Sequence, residues 1–242
     1  RELSDVKEDV TSTPLDIEKA ESDLEDAIKN FNYVSEATYL ARMNWWTVEY
    51  GLVGNIDDPK IYGAGLLSSV GESQNCLSDK VQKIPFSLDC INTSYDITEP
   101  QPQLFVTPDF NTLSKVLDEM AETMAFQLGG AQGLQKAKDA GTVCTVEYDS
   151  KIQVSGILNN FILDRDGKPA YLQYNGPTQL SRYGNQFEGH GGDYHSEGFG
   201  SPVGNIKGLN KPICDFNDDD IEKLNLKLNQ IIDIEFESGV LV

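Results

Sequence analysis

The spacing of apolar residues changes near residue 128, and this change divides the chain into two kinds of structure. Before it, apolar residues recur at the intervals typical of amphipathic helices. After it, they alternate with polar residues as in half-exposed strands. Residues 128–140 are rich in Gly, Ala and Gln, which is typical of a flexible linker. The sequence therefore predicts an α+β protein with a mainly helical part over 1–127, a linker over 128–140 and a β-rich module of unknown function over 141–242.

Helix signals occur in four segments: 11–31, 34–53, 110–128 and 215–232. Thr13 and Pro14 are residue types preferred at a helix N-cap and first position. Ser35 is a candidate cap for the second helix, which is apolar almost all round and is expected to be buried on most sides. In the second half, the Asp166-Gly167 pair between two apolar runs predicts a β-hairpin.

A short internal repeat lies in the second half of the chain. The residues VEYDS at 146–150 recur as IEFES at 234–238. Such a repeat implies two similar strands that share a sheet. Together with the linker composition, it predicts that 141–242 folds as an independent module.

The charge balance excludes several classes of partner. The chain has 19 Lys and Arg against 39 Asp and Glu, a net charge of −20. Phosphate backbones and anionic membranes both attract clustered cations, so neither nucleic acid nor a membrane surface is an expected partner. No apolar run approaches the ~20 residues of a membrane-spanning helix. We therefore expect a soluble, cytoplasmic protein.

Glu49 is an unusual residue in the second predicted helix. It follows Trp45 and Trp46 by one helical turn, so a carboxylate shares a face with aromatic rings. Burial disfavours the charged form of a carboxylate unless a cation or a metal compensates. From the residues alone, two explanations stay open: an ion pair with Arg42, or a functional site.

Three ordered motifs resemble segments of the pterin-dependent aromatic amino acid hydroxylases. They are TVEYGL at 47–52, YGAGLLSSVGE at 62–72 and YDITEPQP at 95–102, the last continuing to Phe110. Their order and spacing agree across residues 40–125. The resemblance implies that 1–127 is the mainly helical C-terminal half of a hydroxylase catalytic domain. The implied activity is hydroxylation of an aromatic amino acid, most of all of phenylalanine to tyrosine. The implied cofactors are Fe(II) and tetrahydrobiopterin, and dioxygen is the implied co-substrate.

The resemblance also implies roles for individual residues. In that family, two histidines and one carboxylate hold the iron and leave positions open for dioxygen. Glu49 matches the carboxylate ligand. Trp45, Ser68 and Ser69 match substrate-binding positions. The two serines also match residues that support the iron ligands. Ala41 and Asn44 match positions that flank the pterin, although the family often has Tyr where Asn44 stands.

The chain departs from the family pattern at the iron ligands. The family's two histidines precede the carboxylate, and no histidine precedes Glu49 here. We therefore expect a C-terminal fragment of a larger monooxygenase, inactive alone and weak in binding iron. The alternative is a non-catalytic binding or assembly module that keeps the hydroxylase scaffold.

His190 and His195 are the only histidines, and they share the H-x4-H spacing of the family's iron ligands. Glycines around them disfavour a helix. Three interpretations stay open: a rearranged iron site, a secondary metal or ligand loop, or an ordinary glycine-rich surface loop.

Overall fold

The computed structural model describes residues 2–9, 11–29 and 33–242. It separates into two compact units, Arg1–Thr112 and Leu113–Val242. Helices and sheets occur in both, which confirms the α+β class. The division at 127 and 141 stays a prediction. Within the described ranges, every helix is too short or too polar to cross a bilayer.

The first unit combines short helices with a four-stranded sheet. Its helices are α1 (Glu2–Glu8), α2 (Pro14–Lys29), α3 (Glu36–Asn44), α4 (Ala64–Ser68) and α5 (Val70–Asn75). A π-helix (Trp45–Glu49) continues α3, and a 3₁₀-helix covers Leu88–Asn92. The strands are β1 (Leu52–Asn55), β2 (Asp58–Ile61), β3 (Gln82–Pro85) and β4 (Gln103–Thr107). They lie in the order β2-β1-β4-β3, with only the β1–β2 pair antiparallel.

Trp46 anchors the core of this unit. Its side chain is fully buried and packs edge-on against Phe105 of β4, with ring centroids 5.3 Å apart. Its indole Nε1 donates to the Thr93 carbonyl at 2.9 Å, so the polar atom of a buried ring is satisfied. The expectation of burial on most sides is wrong for this helical segment, because Leu40 is 48% exposed and Val48 is 56% exposed.

The second unit is built on an antiparallel sheet. Helix α6 (Phe110–Glu122) leads into it, followed by α7 (Ala125–Leu128) and α8 (Gly130–Ala140). The strands are β5 (Val143–Glu147), β6 (Ile152–Leu163), β7 (Pro169–Arg182), β8 (Asn185–Gln186) and β9 (Gly198–Pro202). They lie in the order β5-β6-β7-β8, and β9 also pairs with β7. The predicted hairpin is confirmed: β6 and β7 flank a turn in which Gly167 has φ +77°.

The expectation of a flexible segment over 128–140 is wrong, because α8 occupies most of it. Leu134 of α8 is buried against Val154, Leu158 and Leu172 of the sheet, so this helix contributes to the core of the second unit. Gly129 and Gly130 have positive φ, a conformation that glycine adopts readily, and they separate α7 from α8. A piece that starts at residue 141 would lack Leu134.

Two other predictions differ from the structure. The helix predicted over 215–232 shrinks to α9 (Asp218–Lys223), because Asn225 and Asn229 adopt left-handed φ of 53° and 62° and interrupt any continuation. The IEFES repeat does not join the sheet, since Phe236 forms an isolated bridge with Ile206.

The helix predicted over 11–31 is α2, and residues 30 and 31 lie outside the described part of the chain.

Asp220 ties α9 to the rest of its unit. Its Oδ2 accepts the Asn217 N–H at 2.9 Å, and Asn217 Oδ1 accepts the Asp220 N–H at 3.1 Å. Lys211 pairs with the same buried carboxylate. The Asn217 N–H foremost, and then the Lys211 ammonium, hold the pKa of Asp220 below its ordinary value.

We expect Asp220→Ala to lower the Tm of the chain by several degrees, because it removes a cap and leaves Lys211 unpaired. Asp218→Ala, in the same turn but exposed, is the control and should change Tm little.

The stabilisation by Asp220 should also depend on pH. Because the folded-state pKa of Asp220 is depressed, its contribution to the free energy of unfolding is present above the unfolded pKa of ~3.9 and is lost as the pH falls through the folded pKa. Thermal melts at pH 7 and pH 2 test this pH dependence. If the wild type and Asp220→Ala differed in Tm by the same amount at both pH values, the expectation would be contradicted.

Candidate functional site

A wide helical turn presents the candidate site residues. Ser35 caps α3 as predicted, since its Oγ accepts the Thr38 N–H at 3.2 Å. At the other end, Tyr50 N–H donates to the Trp45 carbonyl at 2.8 Å across five residues, which closes the π-turn. Single π-turns within helices are uncommon and occur frequently at functional sites. Trp45 and Glu49 are the first and last residues of this turn.

Trp45 lies in a stack of three aromatic rings. Tyr50 stacks on it with centroids 4.5 Å apart, and Tyr95 stacks with centroids 4.3 Å apart. The indole Nε1 of Trp45 is buried and has no hydrogen-bond partner among the described residues. A buried donor of this kind is costly unless something accepts from it. The stack therefore contains an unused hydrogen-bond donor.

Glu49 is half-buried, and its carboxylate lies close to the backbone of Gly65. A Cβ placed on Gly65 would lie 3.2 Å from Oε2 of Glu49, so glycine leaves space beside the carboxylate. No cation pairs with Glu49 within the described ranges. Arg42 instead donates its Nη1 to the Ile91 carbonyl at 2.9 Å. The explanation of Glu49 by an ion pair with Arg42 is therefore wrong.

Two tyrosines near Glu49 are held in the protonated state. Burial raises the pKa of Tyr62 to about 12. Burial also raises the pKa of Tyr50, with further contributions from the charges of Glu72 and Glu49. Neither phenol is therefore suited to exchange protons near neutral pH.

Ser68 and Ser69 stabilise the chain that faces Glu49. Ser68 Oγ donates to the Gly65 carbonyl at 2.9 Å, and its side chain is otherwise exposed. Ser69 caps α5, since its Oγ accepts the Glu72 N–H at 3.3 Å. Ser68 therefore connects to the glycine beside the carboxylate, and Ser69 sets the direction of the following helix.

An open cavity of about 430 Å³ lies beside α3. Six residues line it: Ala37, Thr38, Ala41, Arg42, Ser94 and Tyr95. Ala41, one of the residues matched to the pterin, is thus in a cavity whose wall includes a ring of the aromatic stack. Asn44, the other, is exposed near the end of α3 and is not in the lining.

The sequence argument missed Tyr95 and Tyr50 as site residues. Tyr95 begins the YDITEPQP motif, and Tyr50 directly follows Glu49, so both lay within recognised motifs. The signal that would have singled them out is their aromatic character beside a candidate ligand-binding tryptophan.

His190 and His195 belong to the second unit and lie in the loop between β8 and β9. Across the described ranges, no three or more His, Cys, Asp or Glu side chains form a group that could hold a metal ion. The structure therefore gives no support to a rearranged iron site.

Comparisons with known proteins concern the first unit and the residues that follow it. The model of the biopterin-dependent aromatic amino acid hydroxylase family matches residues 33–130. Bovine phenylalanine-4-hydroxylase is 45% identical over 86 residues, which are 35% of this chain and 19% of the bovine protein. Protein henna of Drosophila melanogaster is 35% identical over 122 residues, 50% of this chain and 26% of henna.

The solved structures include the iron- and phenylalanine-bound phenylalanine hydroxylase of Chromobacterium violaceum. It shares 40% identity, covers 34% of this chain and 31% of its own, and has a TM-score of 0.32. The chain thus spans about a fifth to a quarter of the curated relatives named above. Over residues 33–130, the chain is similar to the biopterin-dependent aromatic amino acid hydroxylases.

Proposed function

We propose that residues 33–130 supply part of the active site of a monooxygenase that hydroxylates an aromatic amino acid. Phenylalanine is the proposed substrate and tyrosine the product, because the matched relatives are named phenylalanine hydroxylases. The proposed cofactors are Fe(II) and tetrahydrobiopterin, with dioxygen as co-substrate. Since the chain covers only part of each relative, the activity is proposed for a longer protein that contains it.

The observation that carries this proposal is the Glu49 carboxylate. It is half-buried, has no cationic partner among the described residues and faces the space that Gly65 leaves open. A carboxylate in that state fits a ligand of a divalent iron ion. The described residues supply this one ligand, and we propose that two histidines outside this sequence supply the others. When bound, the iron and the pterin would supply the activation of dioxygen.

The residues around Glu49 would hold the substrate and the pterin in place. Trp45 and the two rings stacked on it form a wall of three aromatic side chains. The cavity that contains Ala41 and Tyr95 offers a flat, partly apolar surface for a planar ring. Trp46 is fully buried and supports this wall from behind, since it meets Tyr95 edge-on with ring centroids 6.4 Å apart.

The two serines would act mainly by positioning. Ser68 Oγ holds the Gly65 carbonyl, and Gly65 is the residue whose missing side chain makes room beside Glu49. A hydrogen bond of this kind fixes the orientation of a metal ligand without touching the metal. The exposed face of Ser68 also leaves its hydroxyl accessible to an amino acid ligand. Ser69 contributes through the start of α5.

A second candidate function is a non-catalytic binding module that keeps the hydroxylase scaffold. The absence of any group of three metal-ligating side chains from the described residues favours this alternative for the isolated chain. The two proposals differ for the full-length gene product. Tyrosine formation from phenylalanine, dependent on ferrous ion and tetrahydrobiopterin, would support the enzyme. Failure of that product to retain iron or form tyrosine would support the module.

For the isolated 242-residue chain, we expect ferrous ion to bind with a Kd weaker than ~0.1 mM, because one carboxylate supplies too few ligands. Anaerobic calorimetry measures this directly. The Glu49→Gln variant is the control, and its heats should differ little from those of the unmodified chain. A tight 1:1 ferrous site would show that the chain contains ligands other than Glu49 and would contradict the proposed division of the site.

A further inference from the structure

The loop that carries the two histidines is fixed to one strand. His190 carbonyl accepts the Leu180 N–H at 3.0 Å, and His195 carbonyl accepts the Thr178 N–H at 3.1 Å. Leu180 and Thr178 are two residues apart on β7, so both histidines have their backbones anchored to the same strand. Groups on such anchored backbone keep their geometry better than groups on a free loop.

The two imidazoles face one another through their nitrogens. Nδ1 of His190 and Nε2 of His195 are 3.1 Å apart. The ring centroids are 5.3 Å apart with 26° between the planes. With these two nitrogens 3.1 Å apart, the ring centroids can hardly be farther apart than the observed 5.3 Å. Both nitrogens therefore lie close to the line that joins the two centroids. In this state, one ring donates a hydrogen bond to the other.

Aromatic neighbours hold one ring more firmly than the other. His195 is half-buried and meets Tyr194 and Phe199 edge-on, at 4.8 Å and 5.2 Å between centroids. His190 is exposed, with Tyr194 at 5.5 Å and Phe187 at 6.4 Å. His195 is thus fixed by packing, whereas His190 has room to turn about its side-chain bonds.

We propose that His190 and His195 together bind one divalent transition-metal ion through Nδ1 of His190 and Nε2 of His195. Imidazole nitrogens suit zinc, copper and nickel ions. With metal–nitrogen distances of ~2.0–2.1 Å, nitrogens 3.1 Å apart subtend about 100° at the ion, between the octahedral and tetrahedral angles. Because His195 is fixed by packing, the ion lies ~2.0–2.1 Å from its Nε2, and the exposed His190 ring turns until its Nδ1 points at the ion. The proton shared by the two rings moves to the far nitrogen of the donor ring.

Water completes the coordination in this proposal. No third His, Cys, Asp or Glu side chain stands with the pair among the described residues, so the site is a two-ligand site of moderate affinity. Three acidic residues of the same loop raise the local concentration of cations without acting as ligands: Glu188, Asp193 and Glu197. The site is independent of the proposed hydroxylase function, because it uses none of that site's residues.

Calorimetric titration of the 242-residue chain with Zn²⁺, and separately with Cu²⁺, tests the site. We expect one ion per chain, with Cu²⁺ tighter than Zn²⁺ as the general order of affinities requires. His190→Gln and His195→Gln should each weaken binding by ~10-fold or more. Cys214→Ser is the matched control, since Cys214 is an exposed thiol of the same unit, and it should leave binding unchanged.

A second measurement uses the unmodified chain and so does not depend on how the variants fold. Zn²⁺ should shift the NMR resonances of both imidazoles together, at the stoichiometry seen by calorimetry, while Mg²⁺ at the same concentration should not. Binding that survives in the His190→Gln/His195→Gln double variant would overturn the proposal. Unchanged imidazole resonances on addition of Zn²⁺ would overturn it as well.

Discussion

The Gly63→Ala variant is expected to lose about 3 kcal/mol or more of its free energy of unfolding, the upper end of overpacking effects. A Cβ on Gly63 would lie 2.4 Å from the Glu49 carbonyl oxygen and 2.6 Å from the Gly51 nitrogen. Both contacts are with backbone, which has no rotamer to change. Relief requires the chain around Glu49 to move, so the variant should also lose the geometry of the candidate site. Denaturant unfolding of the 242-residue chain measures the stability change.

Gly71→Ala is the control for this prediction. A Cβ on Gly71 meets no atom within 4 Å, and the residue lies in α5, where alanine is preferred to glycine. We expect this variant to be as stable as the parent chain or more stable by ~0.5–1 kcal/mol. Equal stability of the Gly63→Ala and Gly71→Ala variants would show that the close approach of Gly63 to Glu49 does not constrain the fold.

In the full-length gene product, Glu49→Gln is expected to lower the proposed phenylalanine hydroxylation by about 100-fold or more, since loss of a ligand exceeds the effect of its supporting hydrogen bonds. The amide keeps the shape of the side chain but removes the charge that an iron ion needs. Iron content and tyrosine formation, measured on the same preparation, test both halves of the expectation.

Two comparisons make this experiment specific to the site. Glu119→Gln applies the same substitution on the exposed face of α6, within the matched family segment, and should leave activity and iron content unchanged. With iron removed from both proteins, the thermal melt of the Glu49→Gln variant should match that of the parent, because no described residue pairs with Glu49. Normal iron content and full activity in this variant would remove Glu49 from the proposed site.

The sequence predicted the features that depend on local signals. Ser35 caps α3, and the Asp166-Gly167 turn joins β6 to β7, because caps and tight turns are set by a few adjacent residues. Helix α8 was missed because its glycine and alanine content is typical of a linker, whereas burial of Leu134 in the sheet stabilises it. That burial is a tertiary effect with no signature in composition alone.

In the candidate site, too, contacts between distant segments could not be predicted from the sequence. The motifs identified Glu49, but they did not reveal that Arg42 bonds the Ile91 carbonyl, a partner 49 residues away in sequence. The π-turn was also missed, because nothing in the residues Trp45–Glu49 distinguishes a five-residue hydrogen bond from a four-residue one. The stack of Tyr95 on Trp45 likewise depends on a contact between distant segments, which only the folded chain brings together.

The π-turn has a consequence for the register of the helix. One additional residue in a helical turn moves every later side chain by about 100° around the axis, since an α-helix has 3.6 residues per turn. Deleting one residue between Trp45 and Glu49 would restore an ordinary α-helix and rotate the Glu49 carboxylate away from Gly65 by about that angle. The spacing of this short segment, as well as its residue types, therefore determines the direction in which the carboxylate points.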